Sequence, residues 1–405
     1  MNHGFILCWG IAPSVLGGHI VKLQIQTLMN NLYILREQYK PNKAETNRLL
    51  AYLHGFDEQG IKATVVVFIP DKDRSEVTDT FQNIEFVYWW KKYNIRNKYL
   101  KHLIEPLYLR QFIRTLHKGD TVFLSGFEFA IKSLLKKRGI KVFFETTEKP
   151  GLGRRFGWYS DIKTKQYFKA CKYLDGISVI STPIKDDFVK LGVAPEKIHI
   201  INMTVDAKRF VGLQKQKSEK YIAYCGTATN NKDGVDQLIK AFSVFSKKHQ
   251  DYKLYIIGET PSEKMAFGNR ELVDSLGISD KVAFTGIVPA KEIPQMLKNA
   301  QILALDRPDN IQAKYGFPTK LGEYLLTENP VVVTRVGDIP LFLEDGVNAL
   351  LAEPENPEAF AEKLCWVVEH PEEAAAIGKK GAKVAMEKFN SRIESEKLGK
   401  MILDK

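Results

Sequence analysis

Residues 221–248, YIAYCGTATNNKDGVDQLIKAFSVFSKK, decide the fold. They open on a short apolar run, Tyr221 to Cys225, cross a loop of small and polar residues, and enter an amphipathic segment from Val235 to Lys248. A short strand feeding an amphipathic helix is half of a parallel crossover unit. Forward of it, Lys253 to Ile257, Val282 to Thr285, Ile302 to Leu305 and Val331 to Thr334 repeat the strand signal with helical segments between. Behind it, Phe5 to Cys8, Thr64 to Phe68, Thr121 to Leu124, Lys141 to Phe144, Gly176 to Ile180 and Ile198 to Ile201 form an earlier series. The polar stretch Gly212 to Lys220, GLQKQKSEK, lacks apolar periodicity and separates the two series. The expectation is an α/β protein of two Rossmann-like domains facing across a deep cleft, residues 1–212 and 213–385. The patterns Pro357 to Glu369 and Glu373 to Phe389 close the second domain, and 386–405 is expected to be a C-terminal helix packing back on the first.

With 405 residues, 44% hydrophobic and 26% charged, each half can bury a core of ordinary size. Cys8, Cys171, Cys225 and Cys365 lie far apart, a spacing that suggests neither a zinc site nor a disulfide framework. No apolar run is long enough to span a bilayer, and Phe5 to Ala12 lacks the basic flank of a signal segment, so a cytoplasmic protein is expected. The net charge of +11 is uneven: residues 1–215 hold 34 Lys and Arg against 20 Asp and Glu, and the remainder 25 against 28. Such a basic half fits an anionic membrane, an acidic substrate or nucleic acid, but no nucleic-acid-binding motif accompanies it. Tyr88 to Lys118 interleaves aromatic and basic residues, as do Arg154, Arg155, Phe156, Trp158 and Tyr159. Both stretches suit peripheral docking on the inner face of a membrane; the alternative is that Trp89, Trp90 and Leu103 are core and the cations a solvated helix face.

In parallel α/β sheets ligands bind beyond the carboxyl ends of the strands. The strongest such segment is Gly316 to Tyr324, GFPTKLGEY. A Gly316-Phe317-Pro318-Thr319 turn entering a helix offers backbone N–H groups to a diphosphate, Lys320 adds a mobile positive charge, and Glu323 can accept from a ribose diol. An ordinary proline-initiated helix with a solvated Lys and Glu fits the same spacing. Gly226, Thr227 and Lys232, after the strand ending at Cys225, form a second candidate phosphate loop; Asn230 and Asn231 as a simple helix-capping turn is its alternative. Gly17 and Gly18 form a third, where backbone approaches ligand or merely turns, and without G-x-G-x-x-G spacing a nicotinamide or flavin is disfavoured.

From about Tyr221 to Ala352 the chain resembles the donor domain of the large retaining glycosyltransferase family four, of the GT-B fold. The resemblance runs in order through YCGTATNNKDGVDQLIKAF, LYIIGE, VAFTG, GFPTKLGEYL and NPVVVT, with ISVIST and IHIINMTVDAKRF resembling the domain junction. It implies that Glu323 binds the donor ribose, Lys232 the donor phosphates, Gly316 to Lys320 the diphosphate and sugar, Gly17 and Gly18 the same diphosphate, and Ile287 the base. It also implies front-face substitution through an oxocarbenium-like state without metal, the leaving diphosphate accepting the acceptor's proton while Lys232 and backbone N–H groups stabilise it.

Three positions depart from the family. Tyr315 stands where the family has a glutamate toward the donor sugar, Thr227 where an arginine accompanies the phosphate lysine, and Thr147 and Glu148 where a histidine is usual. Arg307, in ALDRPDN, is a candidate to resupply the guanidinium; the alternative is a surface arginine paired with Asp306 or Asp309. Glu148 is a candidate acceptor contact or a loop cap. No cofactor is expected; the substrates implied are a nucleotide sugar and a glycan or lipid-linked acceptor, as in cell-surface polysaccharide or glycolipid synthesis. A nucleotide-sugar epimerase and a catalytically weak nucleotide-sugar-binding scaffold are the rival readings.

Overall fold

The computed structural model describes residues 31–41, 43–71, 73–93, 100–126, 130–149, 166–216 and 219–403. The first series of strands builds a sheet of β1 (Leu32–Arg36), β2 (Ala63–Val67), β3 (Ile84–Tyr88), β4 (Thr121–Ser125), β5 (Lys141–Thr146), β6 (Gly176–Val179) and β7 (Ile198–Ile200) in the order β3-β2-β1-β4-β5-β6-β7. Every pairing in it is parallel. The second sheet comprises β8 (Lys220–Cys225), β9 (Tyr252–Ile257), β10 (Val282–Gly286), β11 (Ile302–Leu305), β12 (Val331–Thr334) and β13 (Leu350–Ala352), ordered β10-β9-β8-β11-β12-β13 and also parallel. The central strands are buried throughout, which is why they read as unbroken apolar runs rather than as alternation.

Five of the six strands expected in the first series fall within two residues of their place, and the sixth, Phe5 to Cys8, lies outside the described residues. The strand beside β4 at the centre is instead Leu32–Arg36, which the reading missed. Its sequence LYILR ends on an arginine, a residue rarely buried without partners, yet Arg36 is 5% exposed because Nη1 donates to the Ser125 carbonyl at 2.9 Å and to Ser125 Oγ at 3.2 Å. β3 and β13 were also missed, the former half-buried at the sheet edge and the latter only three residues long. The helices Val235–Lys248 and Pro357–Glu369 have the expected bounds. In the former, Val235, Leu238, Ile239, Phe242 and Phe245 make one buried face at helical spacing.

The chain passes between the sheets twice, at 201–219 and again near 389–391. The two passages are tied where Val205 N donates to the Phe389 carbonyl at 2.8 Å and Ser391 N to the Val205 carbonyl at 3.1 Å. The helix Ser391–Leu403 then lies on the helix Ala44–Glu58 of the first sheet, with Leu398, Met401 and Ile402 in one core with Leu32, Ile34 and Phe56. Buried Glu394 accepts from Asn202 N at 2.7 Å, and buried Arg48 donates to the carbonyls of Ile201 and Asn202 at 2.8 and 2.6 Å while pairing with Glu145 at 3.0 Å. One carboxylate and one guanidinium therefore hold the first passage by its backbone.

Candidate functional site

In each sheet the strand order reverses once, between β1 and β4 in the first and between β8 and β11 in the second. Chains leaving two adjacent strands in opposite directions open a crevice at their carboxyl ends. In the second sheet that crevice is walled by the loop after β8, which carries Gly226, Thr227 and Lys232, and by the loop after β11, which carries Asp306 and Arg307. The two loops touch: a Cβ on Gly234, whose φ is +61°, would sit 1.7 Å from the Asp306 carbonyl oxygen, so only glycine fits there.

Arg307 lies at the bottom of this crevice with no exposed surface. Its Nε donates to the Lys232 carbonyl at 3.3 Å and its Nη1 to the Gly316 carbonyl at 3.1 Å, while Nη2 is buried and unpartnered. The surface-arginine alternative is thus corrected. Asp309 pairs instead with Lys314 at 2.8 Å, and burial, with a smaller push from Asp236, raises the Asp306 carboxyl to about 8. A buried guanidinium nitrogen without a hydrogen-bond acceptor is uncommon, because desolvating the donor is costly. Lys232 stands at the rim, 41% exposed, its Nζ 3.7 Å from Glu148 Oε1 on the loop after β5.

Lys320 needs the opposite correction. It is not a mobile cation at the mouth of the turn. Its ammonium is turned inward to Asp233 Oδ2 at 2.6 Å and the Tyr224 hydroxyl at 3.1 Å, over Gly226, where a Cβ would come within 2.6 Å of its Cε. Burial lowers the Lys320 affinity for its proton against the pull of Asp233, and the ammonium in turn brings the buried Asp233 carboxyl below its ordinary range. Lys320 braces the loop after β8 from below rather than offering a free charge. Asp233 and Tyr224 were missed as its partners, because nothing in the spacing says that a lysine four residues past Gly316 turns toward β8.

The helix beginning at Lys320 runs only to Leu326. Tyr324 fastens it to the end of β8 by accepting from Cys225 N at 2.6 Å. Phe317 is buried against Phe342 and Phe389, each ring centroid 5.4 Å away, and Pro318 is buried beside it, so the backbone of this turn and exposed Thr319 line the crevice. Glu323, in the first turn of this helix, is already engaged: Arg209 Nη1 donates to its Oε1, and Arg209 Nη2 donates to the Ala290 carbonyl at 3.1 Å. Burial pushes the Glu323 carboxyl up, and Arg209 pulls it down by less. Arg209 was not singled out in the sequence, where it stands at the end of the stretch IHIINMTVDAKRF that resembles the domain junction. Ile287, just beyond β10, is 79% exposed.

From the other side, Ser181 Oγ donates to the Tyr315 carbonyl at 2.5 Å, Thr182 N donates to Asp338 Oδ2 at 2.6 Å, and Lys43 approaches Glu259 at 3.5 Å. These contacts bring the carboxyl ends of both sheets together around Tyr315, Gly316, Lys232 and Arg307. Gly17 and Gly18 lie outside the described residues. In the described sheet the segment between central β1 and its helix is residues 37–43, which contain no glycine.

Two parallel α/β sheets with their carboxyl ends turned on one site are the GT-B glycosyltransferase architecture. HepE of Anabaena, solved in complex with UDP, superposes with a TM-score of 0.70 at 16% identity over 93% of this chain and 100% of that one. TarM does so with a TM-score of 0.71 at 14% identity over 93% and 99%. Residues 206–384 match the family model of the glycosyl transferases group 1, and the GT-B fold agrees with it. In sequence the chain is 24% identical over 238 residues to the MMP alpha-(1->4)-mannosyltransferase of Mycolicibacterium hassiacum, 58% of this chain and 54% of that one. It is 26% identical over 229 residues to the mannosylfructose-phosphate synthase of Agrobacterium fabrum, 52% of this chain and 49% of that one. The chain thus spans about half the length of the curated relatives it matches.

Proposed function

We propose that this protein is a glycosyltransferase that moves a hexosyl group from a nucleotide-diphosphate sugar to a glycan or lipid-linked acceptor with retention, in the synthesis of a cell-surface polysaccharide or glycolipid. The observation that carries this is the buried Arg307 guanidinium with Nη2 unpaired, beside Lys232, at the strand-order reversal of the second sheet. Together they supply the positive charge that a departing diphosphate requires, in a place where water is scarce. Glu323 receives the ribose diol, with Arg209 moving off it or holding it in place, and the Gly316 to Thr319 backbone lies along the diphosphate. Glu148, across the crevice from Lys232, faces the acceptor side. The deciding experiment is release of nucleoside diphosphate from a nucleotide sugar as acceptor is added. An epimerase or a binding scaffold would show no acceptor-dependent release. A thermal-shift screen against uridine, guanosine and adenosine diphosphate sugars selects the donor first, since ligand at 100 times its Kd stabilises by about 2.7 kcal/mol.

With Lys232 and Arg307 as the electrostatic partners of the diphosphate, turnover is expected to survive EDTA. Lys232→Ala is expected to cost about 100-fold or more in kcat. Among the described residues no group of three or more His, Cys, Asp or Glu is placed to hold a metal ion. Turnover abolished by EDTA and restored by Mn²⁺ contradicts this account.

The membrane-docking expectation has to be redrawn. Trp89 and Trp90 are 7% and 8% exposed and belong to the core, and Lys91 is paired with Glu76 at 2.7 Å, so neither tryptophan is offered to a membrane. The patch at Arg154 to Tyr159 lies outside the described residues. Arg96 and Lys98 also lie outside the described residues; on the helix Leu100–Thr115, Leu107, Arg110 and Arg114 are exposed at helical spacing. No described helix is long and apolar enough to cross a membrane. Sedimentation with anionic vesicles at about 50 mM salt is expected to carry the protein down and to release it as salt rises, with Arg110→Glu/Arg114→Glu binding less. Indifference to anionic vesicles assigns the acceptor to solution.

A further inference from the structure

Two residues in capping positions each serve the opposite sheet. Ser181, extended just after β6, is the N-cap of the helix Thr182–Lys190, and Asp338, just past β12, is the N-cap of the short helical turn Ile339–Leu341. A serine or aspartate so placed ordinarily accepts from the amides of the turn that follows it. Neither side chain does so here. Ser181 Oγ donates instead across the cleft to the Tyr315 carbonyl at 2.5 Å, and Asp338 Oδ2 accepts at 2.6 Å from Thr182 N, the first amide of the helix that Ser181 begins. Pro183 supplies no N–H, so Asp338 takes one of the few donors that this helix end presents. Its charge also lies at the positive end of the helix dipole.

Both members of the pair are buried, Ser181 at 1% exposure and Asp338 at 9%. The other charged contact between these rims, Lys43 with Glu259 at 3.5 Å, is about half exposed on each side and contributes little. The two acceptors on the second sheet form one rigid jaw. Gly337, at a φ of +59°, is pressed onto the end of the helix Ile311–Tyr315, where a Cβ would come within 2.9 Å of the Lys314 carbonyl oxygen. Asp338 and the Tyr315 carbonyl are thereby fixed relative to each other, and the next carbonyl, that of Gly316, is gripped by Arg307 Nη1 at 3.1 Å. On the first sheet the two donors belong to consecutive residues. Parting the sheets breaks both bonds together and leaves Thr182 N and the Tyr315 carbonyl without these partners.

We propose that Ser181 and Asp338 are an exchanged pair of helix caps that clasps the carboxyl ends of the two sheets, so that the helix Thr182–Lys190 keeps its first turn in order only while the sheets are apposed. Order at the start of a helix in one sheet is then set by a carboxylate of the other, and the position of the Tyr315–Gly316 segment by a hydroxyl of the first.

The test is amide hydrogen exchange on the full chain, read in each sheet after a substitution in the other. Asp338→Ala is expected to speed exchange of residues 185–190 about tenfold, the size of one lost cap, and Asp338→Asn, which keeps an oxygen acceptor, to speed it less. Ser181→Ala is expected to speed exchange at residues 314–316. Ser181→Ala deletes a single oxygen and decides the matter alone if Asp338→Ala does not fold. Faster exchange confined to the sheet that carries the substitution, with the opposite helix end exchanging as in the parent, overturns the clasp.

Discussion

Arg307→Lys is expected to lower kcat by about 100- to 1,000-fold, the range found when one preorganised donor is removed from a developing oxyanion. The guanidinium does three things that one ammonium cannot do together. It donates to the Lys232 carbonyl, it donates to the Gly316 carbonyl, and it keeps Nη2 free. A lysine at this depth would satisfy the carbonyls and face no ligand, or face the ligand and leave the carbonyls bare. Because the two carbonyls belong to the two segments proposed to hold the diphosphate, part of the loss will be in their position. The measurement is therefore single-turnover kcat with saturating donor, alongside a melting curve. A variant that melts normally and turns over within about threefold of the parent removes Arg307 from the reaction.

Glu323→Ala is expected to reduce kcat/KM by about 100-fold or more, since a carboxylate accepting two ribose hydroxyls makes two charge-assisted bonds of roughly 1.5 to 3 kcal/mol each. The Arg209 contact adds a second consequence. Removing the carboxylate leaves Arg209 without its side-chain partner, so Arg209→Ala in the same background is expected to cost little further, the non-additivity of two residues acting as a unit. A pH dependence follows as well. Burial raises the Glu323 carboxyl above the ordinary range, so its ionised form, the better acceptor, is lost at a higher pH than for an exposed glutamate as the solution is acidified. Donor KM is expected to rise as pH falls through that point, and the rise should vanish in Glu323→Gln. Normal donor use by folded Glu323→Ala places the ribose elsewhere.

The sequence by itself determined the two parallel sheets and the loops in which chemistry is sought. Buried parallel strands need unbroken apolar runs, and VFLS, ILAL and VVVT are legible as such without any partner in view. It also determined that Gly226, Lys232, Arg307 and Glu323 belong to loops or first turns after strands, because spacing along the chain suffices for that. Tertiary structure decided what each side chain meets. Lys320 and Lys232 are both lysines of candidate phosphate loops, yet one is spent on Asp233 and the other stands at the rim, a difference set by the approach of two loops that are about 90 residues apart in sequence. Arg307 reads identically as a surface or a buried residue until β11 is seen against β8, and Arg209 becomes visible only where the passage between the sheets lies beside Glu323. Strand β1 carries an apolar run, LYIL, of the same kind and was overlooked; what no local pattern announces is that Arg36 at its end is buried on Ser125 of β4, 89 residues away. Periodicity and turn chemistry are properties of neighbours along the chain, whereas desolvation and charge pairing belong to neighbours in space.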